Sequence, residues 1–225
     1  MAQRRVLLGT PAYTWSLDVR YVHSFGMTIK LCMEKGIDFR WVFTPGDALV
    51  QSACNDLVMH AREKDFDDLI IIGSDQDWEA EWFVRLLSYP VDVVAGPVRK
   101  KTDERELYNV RIPGGPESLR RHPDHDIVTA PDLAIGTGFM RLSRKALDLL
   151  WDNSPKYEVV GSDKKAAWIF DVRPVDGKLV GEDIHICHKL RSLGVDIWLD
   201  PMMNSGHCGQ KRWQGDFANW LARVQ

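Results

Sequence analysis

The chain has no run approaching the roughly 18 apolar residues that a membrane-spanning helix requires. Its opening, MAQRRVLLGT, is basic, but its apolar stretch is too short for a secretion signal. Paired cysteines are missing as well. Cys32, Cys54, Cys187 and Cys208 are scattered without a C-x-x-C spacing, which suits free thiols in a reducing compartment better than a secreted disulfide scaffold. There is no excess of positive charge: the net charge is -3 and the pI is near 6.2, so nothing global attracts a phosphate polymer, and nucleic-acid binding needs a local patch such as Arg99, Lys100, Lys101 and Arg105. Internal repeats and a clear linker are absent too. These absences lead us to expect a cytosolic protein with no membrane partner, folded as one domain over residues 1–225.

What is present is 44% hydrophobic and 27% charged residues, enough to bury one substantial core. RRVLLGTPAY reads as a short buried strand ending in a turn, and residues 16–36 follow with Val19, Val22, Phe25, Ile29 and Cys32 near helical spacing, stopped by Gly36. IDFRWVF alternates Phe39, Trp41 and Phe43 in strand fashion, and residues 48–64 are helical with Asp47 as N-cap. Next come the strand LIII, the helix EAEWFVRLLS and the buried strand VDVVAGPV. The alternation of strand and helix predicts an α/β fold with a mostly parallel mixed sheet flanked by helices. Residues 100–126 form a polar, Gly- and Pro-rich passage too long for an ordinary connection, read as an excursion near a ligand. Beyond it, residues 132–151 lead into a helix capped by Ser143. AWIFDVRPVDGKLV suggests a hairpin turning at Asp176 and Gly177, GEDIHICHKLRSLG a helix closed by Gly194, and VDIWLDP a last strand.

Asp75 and Asp77 stand directly after LIII, where ligands gather beyond the carboxyl ends of parallel strands. On an extended backbone the two carboxylates share a face and suit one hard cation, such as Mg²⁺ or Mn²⁺, that keeps positions open for phosphate oxygens. The plainer alternative is that one aspartate caps the following helix and the other is solvated. Glu182 and Asp183 precede a helix, where acidic charge also complements the helix dipole, and His207 lies between glycines in SGHCG.

Taken in order, these pieces resemble the metal-dependent glycosyltransferases of the GT-A (Rossmann-like) fold, especially small bacterial and phage members. GTPAY resembles the first strand and nucleotide loop, SDQD the Asp-x-Asp motif, and GTGFMRLSRKALDLL the Gly-rich loop with its helix. GEDIHICHKLRSLGVDIWLDP resembles the acidic acceptor-side motif, and SGHCG the C-terminal metal-binding histidine. The resemblance implies a nucleotide-binding half over residues 1–100 and an acceptor-side half over residues 127–225. It implies nucleotide contacts from Thr10, Pro11, Tyr13, Asn55, Asp75, Gln76 and Lys100, and a Mn²⁺ or Mg²⁺ ion held by Asp75, Asp77 and His207. Gly136 and Gly138 would let backbone approach the donor sugar. Asp183 is then the general base and Glu182 the residue that orients the acceptor. One departure stands out: where many relatives carry arginines before an asparagine, this chain has QSACN, which leaves Asn55 without them, so diphosphate contacts fall to Lys100 or Lys101.

The implied activity is sugar transfer from a nucleoside diphosphate donor, with uridine the family's commonest choice, to a hydroxyl acceptor. A hydroxylated base in phage DNA is one such acceptor, served by basic residues 99–105, Arg120, Arg121, Lys211 and Arg212. Trp168, Trp198, Trp213 and Trp220, all in the acceptor-side half, offer ring faces for sugars or bases. Two competing classes are nucleotidyl transfer to a sugar phosphate, disfavoured because LLGTPAY lacks the basic residues of a triphosphate loop, and a non-catalytic module that binds a nucleotide sugar or DNA.

Overall fold

Valine, leucine and isoleucine fill residues 6–8 and 69–72. In the computed structural model, which describes residues 3–175 and 177–224, these segments lie side by side as inner strands of one sheet. The first part of the chain runs β1 (Arg5–Ala12), α1 (Val19–Glu34), β2 (Asp38–Pro45), α2 (Val50–Glu63), β3 (Asp68–Ile72), β4 (Gln76–Asp77), α3 (Ala80–Ser88) and β5 (Val93–Ala95). Short strands β6 (Val110–Arg111), β7 (Arg120–Arg121), β8 (Val128–Thr129) and β9 (Ala134–Ile135) follow, then β10 (Phe139–Ser143) and α4 (Arg144–Asp152). The remainder comprises β11 (Lys156–Glu158), β12 (Lys165–Ala167), β13 (Arg173–Val175), β14 (Lys178–Val180), α5 (Glu182–Ser192), β15 (Ile197–Leu199), β16 (Gly206–Cys208), β17 (Arg212–Trp213) and α6 (Phe217–Arg223).

Eight strands form the central sheet in the order β2-β1-β3-β10-β5-β15-β8-β7. Strands β1, β2, β3, β5 and β15 point one way, whereas β10 runs against both its neighbours and β8 against β15. The expected α/β class and mostly parallel mixed sheet are what the chain adopts. Alternate side chains go to opposite faces. Leu7, Leu69, Ile71 and Leu142 enter a core with Leu57, Leu147 and Ile186 of α2, α4 and α5, while Val6, Leu8, Ile70 and Ile72 meet Tyr21, Phe83 and Leu86 of α1 and α3. Three layers result.

Gly36 and Gly194 end α1 and α5 with φ of 66° and 76°, the left-handed conformation that a side chain disfavours. Ser143 caps α4, its Oγ accepting the Ala146 N–H at 3.2 Å. Other local expectations need correction. The apolar spacing of α1 anticipates the helix but misplaces its inner face: Val19 and Val22 are exposed, and Tyr21, Ser24, Thr28 and Cys32 are buried. Two hydroxyls explain this. Ser24 Oγ accepts the Trp78 backbone N–H and Thr28 Oγ1 accepts its indole N–H, both at 2.9 Å, so these polar groups are satisfied inside. Helix α2 begins after Leu49, and Asp47 instead closes a turn by accepting the Leu49 N–H at 2.9 Å. Strands β13 and β14 do form a hairpin, but Asp176 lies outside the described residues, and Ala167 pairs into β11–β12 instead. The tail beyond residue 201 holds a ribbon, β16 with β17, added to β4.

The passage over residues 99–109 is fastened to that tail. Arg99 donates to the Gln214 carbonyl at 2.6 Å, Asp103 accepts from Lys211 at 2.5 Å and from the Trp213 indole at 2.9 Å, and Glu106 pairs with Arg223 at 2.6 Å. Among the described residues no helix is long and apolar enough to cross a membrane.

Candidate active site

The parallel strands β1, β2, β3, β5 and β15 share one carboxyl edge, and α1, α2 and α3, each following such a strand, begin there. Helix α5 precedes β15 and starts at the same edge before running back. Residues 136–138, which lead into the reversed β10, also reach it: the Gly73 N–H donates to the Gly138 carbonyl at 3.1 Å and the Gly96 N–H to that of Phe139 at 2.9 Å. The topology thus gathers Asp75, Gly136, Gly138, Glu182 and Asp183 at one rim.

Asp75 sits in the turn between β3 and β4, 43% exposed at its side chain. Its Oδ2 accepts from Lys101 Nζ at 2.5 Å and lies 3.2 Å from His207 Nε2. Burial pushes this carboxyl up, but the hydrogen bonds and charges of His207 and Lys101 outweigh it and hold Asp75 down to about 2. His207 is oriented from behind. Its Nδ1 lies 2.9 Å from the Arg99 carbonyl, which only accepts, so the Nδ1–H must donate there. The remaining nitrogen faces the Asp75 carboxylate. A histidine anchored through its far nitrogen to a carbonyl, with a carboxylate beside the near one, is a donor arrangement that suits a divalent ion.

Asp77 is not part of that arrangement. Its Oδ2 accepts from Arg212 Nε at 2.5 Å, and its Oδ1 accepts from Arg212 Nη2 at 2.8 Å and from the Gly206 N–H at 2.9 Å. The expectation that alternation on an extended strand brings Asp75 and Asp77 to one face fails because Asp75 belongs to the turn, where alternation does not hold, while only Asp77 lies in β4. Among the described residues no three His, Cys, Asp or Glu side chains converge as a metal cage. Two donors, Asp75 and His207, do converge, and ions of the Mg²⁺ type use one or two protein carboxylates with phosphate and water completing the shell.

The other expected nucleotide contacts divide. Tyr13 is 60% exposed just past β1, and Pro11 is half-buried. Thr10 is fully buried with its Oγ1 2.6 Å from the Tyr21 hydroxyl, so its side chain points into the α1 layer. Asn55 is equally enclosed: Oδ1 accepts the N–H groups of Ile169 and Phe170 at 3.0 and 2.8 Å, and Nδ2 donates to the Phe170 carbonyl at 3.2 Å. Its amide is a splint for the 169–170 segment and, fully buried, is closed to a diphosphate. Gln76 is buried with its amide against Gly73 and Gly138, where a Cβ on either glycine would crowd it. Gly136 lies against the Asn109 side chain. Lys100 is exposed with no side-chain partner among the described residues, and it is Lys101 that reaches the acidic motif.

Glu182 and Asp183 form the first turn of α5. Burial, and less so the Asp183 charge, push the Glu182 carboxyl up, partly offset by its own backbone N–H. Burial raises the Cys54 thiol, and the charges of Glu182 and Asp47 add to it. Asp183 Oδ1 accepts the Ile184 N–H at 2.7 Å, and among the described residues no side chain donates to its other oxygen.

Sequence reasoning missed Lys101 and Arg212 as partners of the two aspartates: it placed both on a basic surface and offered Lys101 to the diphosphate as well. Those cations are locally paired: Lys101 with Asp75, Lys211 with Asp103, Arg212 with Asp77. The tryptophans are also mostly packed. Trp198 sits edge-on to His122 and Trp220 against Tyr108 and Phe217, while Trp168 is 36% exposed beside Tyr157.

No known family model matches the sequence, and no curated protein sequence matches it. Solved structures do. The A197 protein from STIV is 14% identical, with 93% of this chain and 88% of that chain covered and a TM-score of 0.54, a likeness of fold. Looser superpositions relate the chain to Drosophila β-1,4-galactosyltransferase 7 in complex with manganese, UDP-Gal and xylobiose (13% identical, covering 99% and 74%, TM-score 0.48). They also relate it to UDP-glucose pyrophosphorylase complexed with UDP-glucose (8% identical, covering 99% and 97%, TM-score 0.42).

Proposed function

We propose that this chain transfers a sugar from a nucleoside diphosphate donor, with uridine the first nucleotide to test, to a hydroxyl acceptor. The observation that carries the reading is the contact of Asp75 with a histidine oriented through its far nitrogen, at the carboxyl edge where α5 presents Glu182 and Asp183. Asp75 and His207 would hold Mn²⁺ or Mg²⁺, which when bound supplies positive charge toward the departing diphosphate. Tyr13 offers an exposed ring to the nucleobase, and the backbone of Pro11 lines its approach. Gly136 and Gly138 bring main chain to the rim where the donor sugar would lie. Asp183 takes the proton from the acceptor hydroxyl as its oxygen attacks the anomeric carbon, and Glu182 orients that hydroxyl. Asp77 serves the site indirectly, by fixing β4 against β16. If the acceptor is a hydroxylated base in DNA, the exposed Arg120 and Arg121 are cations left for its phosphates.

The test is a heat-denaturation panel of nucleoside diphosphates and sugar nucleotides, each with Mn²⁺ and with chelator. Ligand at 100-fold over Kd adds about 2.7 kcal/mol, or roughly 5–10 °C in a chain of this size. We expect a Mn²⁺-dependent shift with one nucleotide that disappears in Asp75→Ala. Asp183→Asn should keep the shift and lose transfer by roughly 10²–10⁴-fold. No shift with any nucleotide at saturation would refute the donor site. A shift without turnover in the parent chain would leave a binding module.

A further inference from the structure

Lys101 Nζ, at 2.5 Å, and His207 Nε2, at 3.2 Å, meet the same oxygen, Oδ2 of Asp75. A divalent ion that took Asp75 and His207 as ligands would therefore stand beside an ammonium group of like sign. This lysine is seated rather than loose. Its stem passes Gly209, where a Cβ would come within 3.7 Å of Lys101 Cδ and 3.6 Å of Nζ. Its backbone neighbours are tied: the Lys100 N–H donates to the Leu107 carbonyl at 2.7 Å, the Thr102 N–H to that of Lys100 at 2.9 Å, and Asp103 holds Lys211 and Trp213. Asp77 is engaged by Arg212 and Asp103 by Lys211, while Asp75 takes Lys101.

We infer that Lys101 couples metal binding to diphosphate binding. With the site free it neutralises Asp75 and weakens the hold on a divalent ion; when a nucleoside diphosphate arrives, the ammonium turns to phosphate oxygens and releases the carboxylate to the metal. The chain has no arginine over residues 51–55 to meet the diphosphate instead. Because coupling is reciprocal, metal and nucleotide strengthen each other by the same factor. The inference rests on the donor-site reading above and is separable from it by experiment.

The experiment titrates Mn²⁺ into the full chain, following free Mn²⁺ by electron paramagnetic resonance, alone and with each of UDP, GDP, ADP and CDP. The proteins are the parent, Lys101→Met, Lys101→Arg and Asp75→Ala, each checked for a native melting transition. In the parent and in Lys101→Arg, one nucleotide should tighten Mn²⁺ binding by on the order of 100-fold. Lys101→Met keeps the stem over Gly209 but removes the charge. It should bind Mn²⁺ alone about tenfold tighter than the parent and gain less than about tenfold from the nucleotide. Parent-like affinity and parent-like coupling in Lys101→Met, with binding lost in Asp75→Ala, would overturn the inference and leave the donor site standing. If no nucleotide produces Asp75-dependent Mn²⁺ binding in the parent, both fall together.

Discussion

Removing the guanidinium of Arg212 tests whether Asp77 is a structural charge or a metal donor. The Asp77 side chain is 10% exposed and accepts two bonds from Arg212, at 2.5 and 2.8 Å, besides the Gly206 N–H. In Arg212→Ala that carboxylate keeps one N–H and loses its counter-charge. Breaking a fully buried pair costs roughly 3–5 kcal/mol. Arg212 is 35% exposed and borders a groove of about 550 Å³ between α1 and α3, so water screens part of the loss. We take roughly half, ~2 kcal/mol, after that screening. At about 2–4 °C per kcal/mol for a chain of this length, the melting temperature should fall by roughly 4–8 °C. The double substitution Asp77→Asn with Arg212→Gln, which leaves no orphaned charge, should recover at least half of that. Thermal melts and urea titrations of the single and double variants decide the matter. An Arg212→Ala protein of parent stability, whose melting temperature rises with Mn²⁺ alone, would refute this account and put Asp77 among the metal donors.

Asn55→Ala should cost about 3 kcal/mol in urea unfolding, because the buried N–H groups of Ile169 and Phe170 and the Phe170 carbonyl lose their partner at once. A loss under about 0.5 kcal/mol would return the amide to the list of ligand contacts. For Asp75 the sign follows from its depressed carboxyl. Held at about 2 against an ordinary 3.8, it contributes stability that is complete above the unfolded value and disappears as pH falls from about 4 toward 2. The gap in urea midpoint between the parent and Asp75→Asn should therefore narrow from pH 5 to pH 3; a constant gap would mean that the Lys101 and His207 contacts do not act on the charged form.

Much of the sheet was legible because its strands carry their own pattern: LIII and VLL are continuous apolar runs bounded by turn residues, as strands buried on both faces must be. The stops at Gly36 and Gly194 and the cap at Ser143 were equally local. The reversal of β10 was not, since an antiparallel strand buried between two others has the same apolar content as a parallel one. The inner face of α1 was misread because buried Ser24 and Thr28 look polar until Trp78 supplies two donors. At the site, residue types were readable and partnerships were not. Asp75, His207, Glu182 and Asp183 reach the rim by topology, but the split of Asp75 from Asp77 depends on where a turn ends and a two-residue strand begins. The ion pair of Asp77 with Arg212 spans 135 positions that no local pattern connects.

The ribbon of β16 and β17 also bears on how the chain is made. His207 and Arg212, the partners of Asp75 and Asp77, emerge from the ribosome some 130 residues after the aspartates they meet. The nascent chain can lay β1, β2 and β3 together early, and Asp75 can meet Lys101 soon after, yet Asp77 has no counter-charge until residues 206–213 are out. Closing so long a loop is slow relative to local contacts. The rim should therefore be the last part of the molecule to mature during synthesis, and a polypeptide cut short before residue 206 should carry a sheet without the Asp75–His207 and Asp77–Arg212 contacts.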